Sequence, residues 1–149
     1  MAQRSLVGTW ALGSWEFRDA DGNISYPFGK NASGYLTYTP DGYMSATIAS
    51  PNRVAFASQD VRKATLDEKA TAFDTYISYC GTYEVRGDTV IHHVRASLIP
   101  NWVGGDQQRI MEWVDDHLRL STPPMPVAGK TQTVHLLWKR LGPSQPQNS

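Results

Sequence analysis

The sequence is poor in the residue types that many function classes require. One cysteine, Cys80, stands among 149 residues, which excludes an intrachain disulfide framework and any multi-cysteine zinc or iron–sulfur site. Charge is sparse at 19%, and fourteen basic residues balance fourteen acidic ones, so neither a nucleic acid nor an anionic membrane surface is an expected partner. The same balance leaves both a monomer and a homodimer open. No run approaches the ~20 apolar residues of a membrane span. The start, MAQRSLVGTW, also lacks the apolar stretch of a secretory leader. Together with the lone cysteine, these absences imply a soluble, cytoplasmic chain. GxSxG, P-loop and GxGxxG patterns are all missing, so serine hydrolysis, nucleotide hydrolysis and dinucleotide binding have no support.

What is present is a succession of strand-like runs punctuated by turn signals. LVGTWALGSWEFR (6–18) is a long first strand, with Gly8 and Gly13 as candidate bends or close contacts. GYLTYT (34–39) and YMSATIA (43–49) flank Asp41-Gly42, a strong short-range hairpin signal. Gly87-Asp88 joins CGTYEVR to TVIHHVRASLI, Asp115-Asp116 joins QQRIMEWV to HLRLS, and TQTVHLLWKRL closes the series. The count is about eight strands, mostly paired as hairpins. Closing them into a barrel removes exposed edges, and a barrel of this size is either filled by side chains or holds one small ligand. The length fits one domain, over residues 1–141, with the polar GPSQPQNS (142–149) read as a disordered tail.

One segment has a different period. Thr65 stands three residues before Glu68, a capping-box signature, and Leu66, Ala70, Phe73 and Ile77 follow at spacings of four, three and four. This predicts a helix over about 65–79, between the third and fourth strands, bracing one end of the barrel.

Several stretches resemble a known family. Gly8-Thr9-Trp10 opens the first strand and Arg140 ends the last, as in lipocalins, where such a Trp plugs the barrel base under an Arg. A guanidinium over an indole face is a favourable cation–π contact. GYLTYTPDGYMSA (34–46), RVAFASQD (53–60), YCGTYEVRGD (79–88), VIHHVRASLIPNWVGGDQQR (90–109), LRLSTPP (118–124) and LLWKRL (136–141) extend the similarity to the bacterial and fungal lipocalin-like domain family. The resemblance implies an all-β, eight-stranded, mostly antiparallel calycin-type barrel. It implies no single chemistry, because a fold does not settle function.

Strand alternation then sorts the side chains. Leu36 and Tyr38 share a face with Gly34, and Met44, Ala46 and Ile48 share another. Val90, Val94, Ala96 and Leu98 share the parity of His92, whereas His93 travels with Arg95 and Ser97. Arg109, Met111 and Trp113 alternate against Ile110 and Val114, and the aromatic residue and the family pattern favour turning Arg109 inward. Leu118, Leu120, Val134, Leu136, Trp138 and Arg140 complete the inward set. The resulting interior is apolar and aromatic with a few polar groups, the usual description of a small-molecule site.

Each polar candidate has a functional and a structural reading. His92 is a general acid/base or a core imidazole satisfied by a hydroxyl or carbonyl. Arg109 stabilises oxygen charge on a ligand or latches onto a carbonyl or acid. Tyr38, Tyr79 and Tyr83 donate to a ligand or simply build strands and a helix end; Trp102 stacks on a ligand or caps the core. Adjacent His92 and His93 point to opposite faces and cannot readily chelate one ion, so no metal and no cofactor are expected. Cys80, without a Cys/His/Asn arrangement, reads as a small buried residue rather than a nucleophile.

These residues predict a barrel that binds a small hydrophobic organic molecule. In the leading version it is a cofactor-independent enzyme of specialised metabolism that cyclises, isomerises or dehydrates a polyketide- or terpenoid-like intermediate. His92, Arg109 and Tyr38 are its catalytic candidates. Leu36, Met44, Ile48, Tyr83, Val94, Trp102, Met111, Trp113, Leu120 and Leu136 form its expected binding wall. The alternatives are a non-catalytic carrier of a small hydrophobic ligand and a barrel whose interior is filled.

Overall fold

A computed structural model describes residues 5–143. The strands are β1 (Gly8–Asp19), β2 (Ile24–Ser25), β3 (Ser33–Tyr38), β4 (Tyr43–Ala49), β5 (Tyr76–Arg86), β6 (Thr89–Ser97), β7 (Asp106–Val114), β8 (His117–Ser121), β9 (Met125–Val127) and β10 (Lys130–Arg140). They form one sheet in the order β2-β1-β3-β4-β5-β6-β7-β8-β10-β9, and antiparallel pairing of β1 with β10 closes it. The result is the expected eight-stranded antiparallel barrel with a single α-helix. The short β2 and β9 are additions to it, pairing with β1 and β10 at one end. Most of the tail read from the sequence, 144–149, lies outside the described residues.

The two ends of the barrel differ because their connections differ in length. At one end, tight turns join β3 to β4, β5 to β6 and β7 to β8. That end is plugged. Trp10 is fully buried and its indole N–H donates to the Leu6 carbonyl at 2.9 Å. The Arg140 guanidinium lies 4.1 Å from the Trp10 ring centroid and donates to the Val7 carbonyl at 2.8 Å. Trp113 packs against Trp10 at 5.8 Å, and Leu36, Tyr38, Met44, Val90 and Leu118 fill the space around them. At the other end, the longer segments 20–32, 50–75, 98–105 and 122–129 surround an opening that side chains do not fill.

The helix α1 spans Leu66–Asp74 and is shorter than its apolar spacing predicts. Its start is as expected: Thr65 Oγ1 accepts from the Glu68 N–H, and the Glu68 carboxylate accepts from the Thr65 N–H. Its end is displaced because Tyr76–Tyr79 pairs with β4 as the first part of β5. Tyr76 and Tyr79 suit a strand, and Ile77, β-branched, loses rotamer freedom in a helix. Nor does the helix bury its stripe, since Leu66 is 82% exposed and Phe73 44%. The spacing marked a helix without marking a core face.

A second difference is a β-bulge. Cys80 faces Ala96 but Gly81 faces Val94, so Arg95 is an extra residue that reverses the alternation beyond it. Ala96 is therefore exposed, against its expected inward position, and Ser97 takes the face opposite Tyr79. Leu98 falls beyond the strand and donates its N–H to the Ser78 carbonyl at 2.9 Å. The bulge requires glycine at 81, because a Cβ there would sit 1.9 Å from the His93 carbonyl oxygen. Gly81→Ala is expected to lose about 1–3 kcal/mol or more, the range of overpacked sites, measured by chemical denaturation.

Candidate functional site

Between the plugged end and the long segments lies a cavity of about 240 Å³. Leu36, Ile48, Leu120 and Leu136 supply aliphatic walls, while Trp15, Phe17, Trp102 and Trp138 supply aromatic ones. Its polar groups are Ser78, Tyr79, His92, Gln107, Arg109 and Thr122, and no carboxylate lines it. Most of these positions follow from strand alternation at the level of the barrel where the closed-end core stops.

His92 marks that level. Its ring is buried, with Nε2 2.6 Å from the Tyr38 hydroxyl and Nδ1 2.6 Å from the Tyr79 hydroxyl. Burial, helped by the charges of Arg109 and His93, lowers its pKa from 6.5 to about 3, so the imidazole is neutral. A neutral imidazole has one donor and one acceptor nitrogen, and the neighbours decide which is which. Tyr38 is wholly buried and has no other partner for its proton among the described residues. Its O–H therefore donates to Nε2; a buried donor left unpaired costs about 1–3 kcal/mol. Nδ1–H then donates to the Tyr79 oxygen. Tyr79 lines the cavity, and its own proton has no acceptor among the described residues. The relay Tyr38→His92→Tyr79 thus ends in an O–H available to whatever occupies the cavity.

Arg109 is the site's charge. It turns inward with Met111 and Trp113, and its guanidinium donates to the Gln108 carbonyl at 2.9 Å and to Gln107 Oε1 at 3.3 Å. Among the described residues no ion pair joins it to a carboxylate. Burial raises the pKa of Tyr79, and Arg109 partly offsets that rise. Trp138, in the floor, has an indole N–H shielded from water and without a partner among the described residues.

His93, one residue on, shows the opposite environment. On the outer face its Nδ1 donates to Asp106 at 2.7 Å and its Nε2 to Glu84 at 2.9 Å. Hydrogen bonds to these two carboxylates raise its pKa above 6.5. Among the described residues no three His, Cys, Asp or Glu side chains are grouped to hold a metal ion, and Cys80, expected to be buried, is instead exposed, its side chain alternating away from that of the inward Tyr79.

Of the expected site residues, His92, Arg109, Leu36, Ile48, Trp102, Leu120 and Leu136 line the cavity. Tyr38 does not; it stands behind His92, reaching the cavity only through the imidazole. Met44, Tyr83, Met111 and Trp113 are placed elsewhere, in or against the closed-end core. Tyr83 packs edge-on against Tyr38 at 4.7 Å and donates to the Thr39 carbonyl at 2.8 Å. Alternation fixes the face of a residue but not its height, and these four sit below the cavity. Val94 is also buried away from it, beside the bulge, where its N–H donates to the Gly105 carbonyl and its carbonyl accepts from Gly104. Tyr79, weighed as a donor but assigned to a helix end, is the principal addition; period-two alternation with Ile77 would have put it on a strand. Trp15, Phe17 and Gln107 share its inward periodicity but carried no motif.

A second groove, of about 560 Å³, lies outside the barrel between residues 53–56 and α1. Its Glu68 carboxylate is already taken by the N–H groups of Ala57 and Thr65.

The lipocalin-like domain model matches residues 7–141. This chain belongs to the lipocalin-like domain family. The 4'-hydroxy-3'-methoxypropiophenone carrier protein of Aspergillus oryzae is similar to it, 34% identical over 107 residues, covering 66% of this chain and 96% of that relative. The lipocalin-like cavity of this chain is suited to a small hydrophobic ligand.

The two histidines give opposite signs with pH. His92 contributes stability that is present above 6.5 and is lost as pH falls towards about 3, because only the unfolded chain takes up the proton. His93 contributes stability that is full below 6.5 and is lost as pH rises through its raised value. Nitrogen-15 NMR at pH 5 is expected to show His92 neutral with its proton on Nδ1 and His93 doubly protonated. A charged His92, or a proton on Nε2, would refute the relay.

Proposed function

We propose that this protein is a carrier for one small, oxygen-bearing aromatic molecule of the aryl-ketone class. The observation that carries the reading is the cavity itself: apolar and aromatic walls around about 240 Å³, with polar donors in its lining. That volume is below the about 300–1,000 Å³ of drug-sized pockets, as befits one small ring with short substituents. An available Tyr79 proton and the Arg109 guanidinium suit a ligand oxygen, and the name of the Aspergillus oryzae relative points to the same class.

Carriage is favoured over proton-transfer chemistry by the state of His92. Both ring nitrogens are engaged by tyrosines and the ring is held neutral, so it has no nitrogen with which to take up a substrate proton near neutral pH. A second reading, cofactor-free isomerisation, cyclisation or dehydration, draws on Tyr79 and Arg109, which could stabilise an enolate oxygen. The single, exposed Cys80 is in keeping with the reducing cytoplasm.

Native mass spectrometry with 4'-hydroxy-3'-methoxypropiophenone is expected to show one molecule per chain. The ligand should be recovered chemically unchanged after long incubation. Ala46→Leu, which adds bulk in the cavity wall, is expected to weaken binding about tenfold, in line with the about 1–3 kcal/mol cost of overpacking. Phe56→Ser, in the lining of the outer groove, should leave it unaltered. Sensitivity to Phe56→Ser but not to Ala46→Leu would move the site to the outer groove, and conversion of the ligand would establish the enzymatic reading instead.

A further inference from the structure

The cavity holds one formal charge and nothing in its lining to balance it. The Arg109 guanidinium has five N–H groups, of which two have acceptors, a carbonyl and an amide oxygen. The other titratable groups in the lining are His92, which is neutral, and Tyr79. β3, β4, β8 and β10 turn only uncharged side chains towards the cavity, among them Leu36, Ile48, Leu120 and Trp138. Glu84 and Asp106 are engaged by His93 on the outer face. The guanidinium is half-buried at the cavity wall, so an anionic oxygen brought into the cavity meets a charged donor directly, and charge-assisted hydrogen bonds of this kind are the strong ones. The second free donor, the Tyr79 O–H, has its direction set by the His92 tautomer, so it too can only give a proton to an acceptor.

We propose that the cavity takes a weakly acidic phenol in its ionised form, the phenolate oxygen being held by the Arg109 guanidinium and the Tyr79 hydroxyl. This rests on the carrier reading and specifies the ligand within it. The step is simple acid dissociation: the phenol O–H bond breaks, the electron pair stays on oxygen, and the proton leaves to solvent. A phenolate spreads its charge over a ring that the aromatic walls can cover. A carboxylate keeps its charge on two strongly hydrated oxygens and loses more on leaving water. An acyl group para to the oxygen extends that delocalisation, so an acyl phenol is the class the site fits best.

Ionised acyl phenols absorb at longer wavelength than their neutral forms, which separates ionisation from binding. The probe is 4'-hydroxy-3'-methoxypropiophenone, at a pH one unit below its own ionisation in water, compared with its 4'-methyl ether. With the wild-type protein the bound phenol is expected to show the phenolate band and to release about one proton per molecule bound. The ether is expected to bind about 10- to 100-fold more weakly, the range for hydrogen bonds to a charged group. Arg109→Gln should abolish the band and weaken phenol binding by a similar factor. Arg109→Lys, which keeps the charge, should retain much of the band, and circular dichroism would establish that both variants fold. A bound phenol with its neutral spectrum, or an ether bound as tightly as the phenol, would overturn this inference and leave the carrier reading intact. Binding of neither compound would overturn both.

Discussion

A buried imidazole must satisfy two nitrogens with different needs, and the interior of this barrel is arranged around that requirement. Tyr38 on β3 and Tyr79 on β5 meet His92 on β6, each at 2.6 Å, so one polar chain ties three strands together. Because Tyr38 has only the imidazole to donate to, the proton order along the whole chain is determined at its buried end. The available proton appears at the other end, on the cavity wall. A buried network of this kind is secure only when every member is satisfied, and here its last member, the Tyr79 hydroxyl, lies on the cavity wall.

The same level divides the barrel along its axis. On one side short turns bring the strands together over Trp10, Arg140 and Trp113, and the core is filled. On the other, long connections hold the strands' ends apart and leave the cavity. The bulge at Arg95 lies on the cavity side of this boundary. By reversing the alternation there, it turns Ala96 outward and places Ser97 opposite Tyr79. Close by, Val94 is bonded through both backbone groups to Gly104 and Gly105, which follow Trp102 in the β6–β7 connection. His93, bridging Glu84 and Asp106, joins β5, β6 and β7 from outside. The cavity wall is therefore cross-linked by hydrogen bonds where the donors stand.

Much of this was legible in the residues, and the gaps have physical causes. Turn chemistry at Asp41-Gly42, Gly87-Asp88 and Asp115-Asp116 marked the hairpins, because glycine and aspartate suit those backbone conformations. Alternation put His92 inside and His93 outside, and it turned Arg109 inward. It could not say how deep each residue sits, so Met44, Met111 and Trp113 were assigned to a wall they do not reach. It also assumes unbroken pairing, which the extra Arg95 violates; the need for Gly81 arises from the carbonyl of His93 on the neighbouring strand and leaves no local signal. Tyr79 was obscured by a helical spacing that tertiary pairing with β4 overrides. The tautomer of His92 depends on burial of a tyrosine far off in the chain, which no periodicity reports.

The most direct test of the central claim is a crystal structure of the complex with 4'-hydroxy-3'-methoxypropiophenone. The account predicts one molecule above His92, inside the barrel, with an oxygen about 2.5–3.0 Å from the Tyr79 hydroxyl oxygen and within reach of Arg109. A ligand seated in the groove beside α1, or one inside the barrel with its oxygens turned away from both residues, would contradict it.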